Sequence, residues 1–136
     1  LVVLDLRRPT ADLRFAADVE PRVEEERAIT LAASLVETAL LRGVEVGLRI
    51  TGTDLPELPV RGGRRHLDRL LAHLAAIDLD AERIDRDPAI PAATSAALVV
   101  VHPDRVDTGL GHADAWHLLP SMLERLADVP DKEGAA

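Results

Sequence analysis

Three groups of residues in this chain have types and spacings that could do chemistry. The first is Asp5, a carboxylate closing the apolar run Leu1-Val2-Val3-Leu4; a second apolar run, Ala96 to His102, leads into Pro103-Asp104, so that Asp104 repeats the arrangement. In open α/β sheets the ligand crevice lies beyond the carboxyl ends of the strands, which is where these acids fall. The plainer alternative for Asp5 is a strand-end acid held by backbone amides. The second group is His102, Asp104, Asp107, His112, Asp114 and His117. Imidazole and carboxylate are good ligands for Zn²⁺ or Ni²⁺, although the spacing matches no recognised zinc motif. The third is Arg61, Arg64, Arg65 and His66 around Gly62-Gly63, at the head of a leucine-rich segment. Arginines at a helix N-terminus oppose its dipole, so an anionic partner or an acidic patch of the domain would offset them; a solvated basic face is the alternative. Nucleophilic catalysis finds no support, because there is no Gly-x-Ser-x-Gly elbow and no phosphate-binding glycine loop, and Ser34 falls mid-helix without a base nearby.

The elements that must position these groups can be read from hydrophobic pattern. Leu1 to Leu4 is a fully apolar run that ends on Asp5, expected as a buried strand in the middle of a parallel sheet. Pro9 to Arg22 reads as a loop pinned by Phe15. A helix is expected from Glu24 to Arg42, with acids in its first turn, Gly43 as its stop, and Ala28, Leu31, Ala32, Leu35, Val36 and Ala39 as its buried stripe. Val44 to Thr51 alternates as a strand with one wetter face, and Pro56 to Val60 can form only an edge piece because of its prolines. The second helix buries Leu67, Leu70, Leu71, Leu74 and Ile77, and places His66 and His73 on its wet side. Ala81 to Thr94 is a loop and Ala96 to His102 a second buried strand. Trp116, Leu119, Met122, Leu123 and Leu126 suggest a third amphipathic helix, which Pro120 either kinks or begins.

Composition narrows the function classes. A chain of 136 residues is one domain by length, expected over 1–130 with a frayed tail over 131–136. One Trp, one Phe and no Tyr leave no aromatic platform for stacking bases, and a net charge of -8 repels phosphate backbones, so nucleic acid is excluded as a partner. The absence of cysteine removes disulfides and thiol catalysis. No apolar run reaches a membrane span of ~18 residues, so this stretch makes no membrane contact of its own. The chain opens inside a strand without an initiator methionine, which reads as a domain excised from a longer protein.

Taken together, Leu1-Val-Val-Leu-Asp5, Glu26-Arg27-Ala28, Leu31-Ala-Ala-Ser-Leu35, Gly43-Val-Glu-Val-Gly47-Leu, Leu98-Val-Val-Val101 and above all Gly63-Arg-Arg-His66-Leu-Asp-Arg-Leu-Leu71 resemble the C-terminal domain of the bacterial family called domain of unknown function 58. The resemblance covers residues 1–104 and thins afterwards. It implies a von Willebrand factor type A-like α/β fold: three layers, a mostly parallel central sheet and helices on both faces. It also implies a metal-ion-dependent adhesion site, in which Asp-x-Ser-x-Ser, a Thr from a later loop and a further Asp hold Mg²⁺, a hard cation that prefers oxygen ligands. Asp5 matches the first ligand and Asp104 the last. Arg7 and Pro9 replace the serines, no convincing Thr follows the second helix, and Thr53 lies on the wrong element. The site is therefore expected to be degenerate. Arg7 stands in for the ion by pairing with Asp5, Asp104 or both, and no cofactor is needed, with bound Mg²⁺ as the alternative.

By the same resemblance, the domain is expected to be a non-enzymatic adaptor working with a MoxR-type AAA ATPase in chaperone-like assembly. It would be a cytoplasmic domain of a protein whose relatives commonly carry N-terminal transmembrane helices, and Arg61, Arg64, Arg65 and His66 are candidate partner contacts. The alternatives are a divalent-cation-dependent adhesion module, and a metallohydrolase using His102, His112, Asp114 and His117.

Overall fold

A computed structural model of the chain describes residues 1–7, 13–84, 97–104, 106–107 and 115–122. In chain order they form β1 (Val2–Asp5), β2 (Leu13–Arg14), α1 (Pro21–Leu41), β3 (Val46–Thr51), β4 (Leu58–Arg61), α2 (Arg64–Ala75), β5 (Leu98–Val101), β6 (Val106–Asp107) and β7 (Ala115–Leu118). The fold is α/β, built on a five-stranded sheet in the order β4-β3-β1-β5-β7. β1 sits at its centre, parallel to both β3 and β5, and β5 is parallel to β7; only the edge strand β4 runs antiparallel, against β3. The fragments β2 and β6 pair separately as a two-stranded ribbon.

An entirely buried β1 is what its unbroken apolar run requires, since a central parallel strand is covered on both faces. One face carries the main core. Leu4, Leu48 and Val101 of the sheet pack with Ala28, Ala32 and Val36 of α1 and with Leu70 of α2, all buried. On the other face Val3, Leu98 and Val100 form a smaller cluster with Leu1 and Ala115. Among the described residues α1 and α2 both contribute to the first cluster and neither to the second, so a helix layer is seen on one face of the sheet.

The end of α1 illustrates how local sequence sets local structure. Gly43 adopts φ 82°, its N–H donates to the Leu40 carbonyl, and the Val44 N–H reaches back to Ala39 at 2.9 Å. These two bonds form a Schellman cap, which a residue with a Cβ disfavours. Because Val44 and Glu45 are used in that exit, β3 starts at Val46 rather than at Val44. At its other end α1 begins at Pro21, three residues before the expected Glu24, since proline is well suited to the first helical position. The wetter face expected for β3 is absent. Five of its six residues are buried: on the face away from the helices Gly47 lies under Val60 and the Thr51 hydroxyl lies against Asp5, leaving only Arg49 partly exposed.

Two more expectations are corrected. Ala115–Leu118 is a strand, not the start of a helix, and Trp116 is 72% exposed rather than part of a buried stripe. Helical structure begins only at Pro120, where the proline takes the first-turn position. The residues Leu123 and Leu126, the loop at 85–94 and the tail at 130–136 lie outside the described residues. His66 is not on the wet side of α2. It is only 5% exposed, and its Nε2–H donates to the Val46 carbonyl at 2.6 Å, because the first turn of α2 packs over the start of β3.

Candidate functional site

The parallel register brings four polar side chains into one row at the carboxyl end of the sheet. Asp5 closes β1 opposite Thr51, which closes β3. Leu4 pairs with Val101, so His102 is level with Asp5 on the neighbouring strand, and Val100 pairs with His117 on β7. Alternation along each strand then puts Asp5, Thr51, His102 and His117 on the same side of the sheet as Val3 and Val100.

Asp5 is completely buried and is surrounded by donors. Arg7 turns back on it, donating from Nε to Oδ1 at 2.8 Å and from Nη2 to Oδ2 at 2.9 Å, while its backbone N–H also reaches Oδ1 at 3.1 Å. The Thr51 hydroxyl lies 3.3 Å from both Oδ1 and the Leu4 carbonyl, so its single proton serves one of them at a time. On the other side, His102 Nδ1 stands 2.8 Å from Oδ2. A carboxylate has about four lone-pair positions, and this one is approached by at least five donors. It is saturated. A bidentate guanidinium matches a carboxylate in both charge and geometry, and Arg7 is held with only 18% of its side chain exposed.

Gly52 makes the approach of Arg7 possible. It turns the chain after Thr51 at φ 82°, and a Cβ there would overlap the Leu6 carbonyl oxygen and crowd the Arg7 nitrogen. That same Leu6 carbonyl accepts from Arg83 Nη1 at 2.8 Å, and the Arg83 guanidinium forks onto Glu25 at 2.6 and 3.1 Å. Glu25 is thus a buried ion-pair partner and not simply an acid favoured by the helix dipole. Nearby, Gly52 to Leu55, Ala76, Asp78 and Ala81 to Ile84 line a cleft of about 190 Å³, smaller than the roughly 300–1,000 Å³ of small-molecule sites.

The row continues beyond Asp5. His102 Nε2 lies 2.8 Å from His117 Nδ1, with the ring planes 16° apart and the ring centres 5.1 Å apart. A ring nitrogen is roughly 1.1–1.2 Å from its ring centre, so the nitrogens face each other head-on, the preferred geometry for a linear hydrogen bond. Two imidazoles sharing a tetrahedral ion at ~2.0–2.1 Å would hold their nitrogens roughly 3.3 Å apart, bent toward a third point. The observed pair is a shared-proton link. Since the carboxylate can only accept, neutral His102 carries its hydrogen on Nδ1, and neutral His117 then donates from its own Nδ1. Among the described residues no group of three or more His, Asp or Glu could hold a metal ion. His112 and Asp114 lie outside the described residues.

Asp104 does not repeat Asp5; His102 does. Two residues further on, Asp104 has turned away and accepts from the Ser121 hydroxyl at 2.5 Å and the Ser121 N–H at 3.0 Å, capping the turn that starts at Pro120. Arg27 lies 4.0 Å from it. Among the described residues the carboxylate partner of Arg7 is therefore Asp5. No family model, curated protein or solved structure matches this chain.

The basic group sits at the opposite end. β4 runs antiparallel to β3 and pairs Arg61 with Val46, the first residue of β3, whereas Asp5 pairs with Thr51, the last. Arg61, Arg64 and Arg65 are exposed, but His66 is buried beneath them and cannot share a partner contact. Sequence reasoning missed Thr51 and Arg83 altogether and considered His102 and His117 only as metal ligands. The available signal was that His102, like Asp5, immediately follows an unbroken apolar run.

Proposed function

We propose that the chain is a non-enzymatic, protein-binding α/β domain of the von Willebrand factor type A-like kind, in which Arg7 takes the place of the adhesion-site cation. The observation carrying this reading is the bidentate Arg7–Asp5 pair, on the carboxylate at the end of the central strand. A cation bound to Asp5 would have to displace a guanidinium already matched to both oxygens, and the buried carboxylate would lose its donors in the exchange. The sheet order, with a lone antiparallel edge strand beside β3, supports the same fold family. The adaptor role with a MoxR-type AAA ATPase, in a protein anchored to the cytoplasmic side of a membrane, rests on the sequence resemblance. No described helix is long and apolar enough to cross a membrane.

The test is calorimetric titration of the domain with a purified MoxR-type ATPase from the same organism, alongside assays of model ester and phosphate hydrolysis with added metals. Saturable binding without hydrolysis is the expected result. Metal-dependent turnover lost in His102→Ala, with no ATPase binding, would overturn the proposal in favour of a hydrolase.

A further inference from the structure

The far corner of the domain presents exposed cationic and apolar side chains together. Arg61 ends β4, and Arg64 and Arg65 open α2; all three are exposed. Among the described residues only Arg64 is within ion-pair distance of a carboxylate, Asp68 at 3.7 Å, and that pair is largely solvated; the exposed Glu45, beside Gly62, makes no ion pair with the three arginines. At the same end of the sheet, Leu41 is 63% exposed and Val44 54%. Their adjacency follows from the fold. Gly62, between Arg61 and the start of α2, approaches Glu45, the residue after Val44. The Schellman cap then brings Leu41 to the same exit from α1.

Scattered exposed apolar residues are ordinary, and exposed charges are individually weak. The combination is selective because the chain as a whole carries a net charge of -8. An acidic partner is repelled from most of the surface and attracted to this corner, so electrostatics sets both the site and the orientation of encounter. The N-terminus of α2 adds to the attraction, having neither a side-chain cap nor an acid in its first turn. The aliphatic residues favour a polypeptide over a nucleic acid, since they can bury Leu or Val side chains but cannot stack bases.

We propose that this corner docks an acidic polypeptide segment bearing aliphatic side chains, with Arg61, Arg64 and Arg65 pairing its carboxylates and Leu41 and Val44 receiving its apolar groups. The proposal rests on the reading of the chain as a protein-binding domain and assigns that binding to the end of the sheet away from Asp5.

The experiment is fluorescence anisotropy with three labelled probes: a short peptide alternating glutamate and leucine, the same peptide with lysine for glutamate, and a single-stranded DNA. Preferential binding of the acidic peptide, weakened by salt, is expected. Its affinity should fall about tenfold or more in the Arg61→Glu/Arg64→Glu/Arg65→Glu variant and several-fold in Val44→Ser. Equal binding of the lysine peptide or the DNA overturns the proposal, as does an acidic-peptide affinity that the triple variant leaves unchanged. Circular dichroism of the triple variant is expected to match the parent, since the three side chains are exposed. Titration of the same variant with the MoxR-type ATPase separates the two proposals. ATPase binding that survives the triple change retains the adaptor reading and removes this corner from it, whereas no ATPase binding by the unaltered domain sinks the adaptor reading itself.

Discussion

The two ends of the sheet hold similar charged groups under opposite conditions. At the carboxyl end, Asp5 is fully buried, and Arg7, Thr51 and His102 direct donors at its oxygens. At the other end, Arg61, Arg64 and Arg65 are exposed, with one loose ion pair among the described residues. Burial makes the first cluster hard to alter, because removing any member leaves a charge or donor stranded in a medium that cannot solvate it. Exposure makes the second cheap to keep and ready to exchange water for a partner. Charge alone therefore does not identify a binding surface; the state of its solvation does.

Several substitutions can break or sharpen this contrast. Asp5→Ala is expected to have the largest effect, about 3–5 kcal/mol of lost stability by denaturant unfolding, since it strands Arg7 and the His102 N–H together. Gly52→Ala follows at about 2–3 kcal/mol, through a left-handed φ and the overlap with Leu6, and the contrast weakens if that variant melts with the parent. His66→Leu should cost about 1–2 kcal/mol by leaving the Val46 carbonyl unpaired. A double-mutant cycle on Arg7 and Asp5 should give a coupling of about 2–4 kcal/mol, against a value near zero for the solvated Arg64 and Asp68 pair. Smallest of all, Arg61→Glu and Arg65→Glu are expected to move the melting midpoint by no more than about 1–2 °C.

Much of the buried cluster's frame was legible in the sequence. The unbroken apolar run to Asp5, the alanine-rich stripe of α1 and the glycine that ends it are local signals, and α1 ends within a residue of where Gly43 placed it. What was not legible depends on register and on tertiary cover. Thr51 and His102 meet Asp5, and His117 meets His102, only because four parallel strands run in matched register, and no spacing in the chain encodes that match. Asp104 seemed equivalent to Asp5 because each lies past an apolar run; the first strand ends on its acid, while the second ends before His102 and places the acid beyond a proline. β7 is four residues long, too short for period-two alternation to compete with the helix-like spacing of Trp116, Leu119 and Met122. His66 was placed on the wet face because histidine is polar, but α2 crosses the start of β3, where a carbonyl accepts its proton.

The histidine row offers a spectroscopic check on the buried end. Long-range ¹H–¹⁵N correlation spectra at a pH where both rings are neutral should show both His102 and His117 with hydrogen on Nδ1, and Asp5→Asn should disturb both. Retention of the Nε2–H form in His117 would contradict the assigned chain of donors.

The central claim is that a guanidinium occupies the place of a cation at the end of β1. It is tested most directly by thermal unfolding of the domain in EDTA and then with Mg²⁺, Mn²⁺ and Zn²⁺ added separately. A ligand that binds only the folded state contributes about 2.7 kcal/mol at a hundred times its dissociation constant, a shift of several degrees for a domain of this size. Coincident midpoints in all four conditions are what the Arg7–Asp5 pair predicts. A rise with Mg²⁺ or Mn²⁺ contradicts it by restoring an ion to Asp5, and a rise with Zn²⁺ alone contradicts the shared-proton reading of His102 and His117.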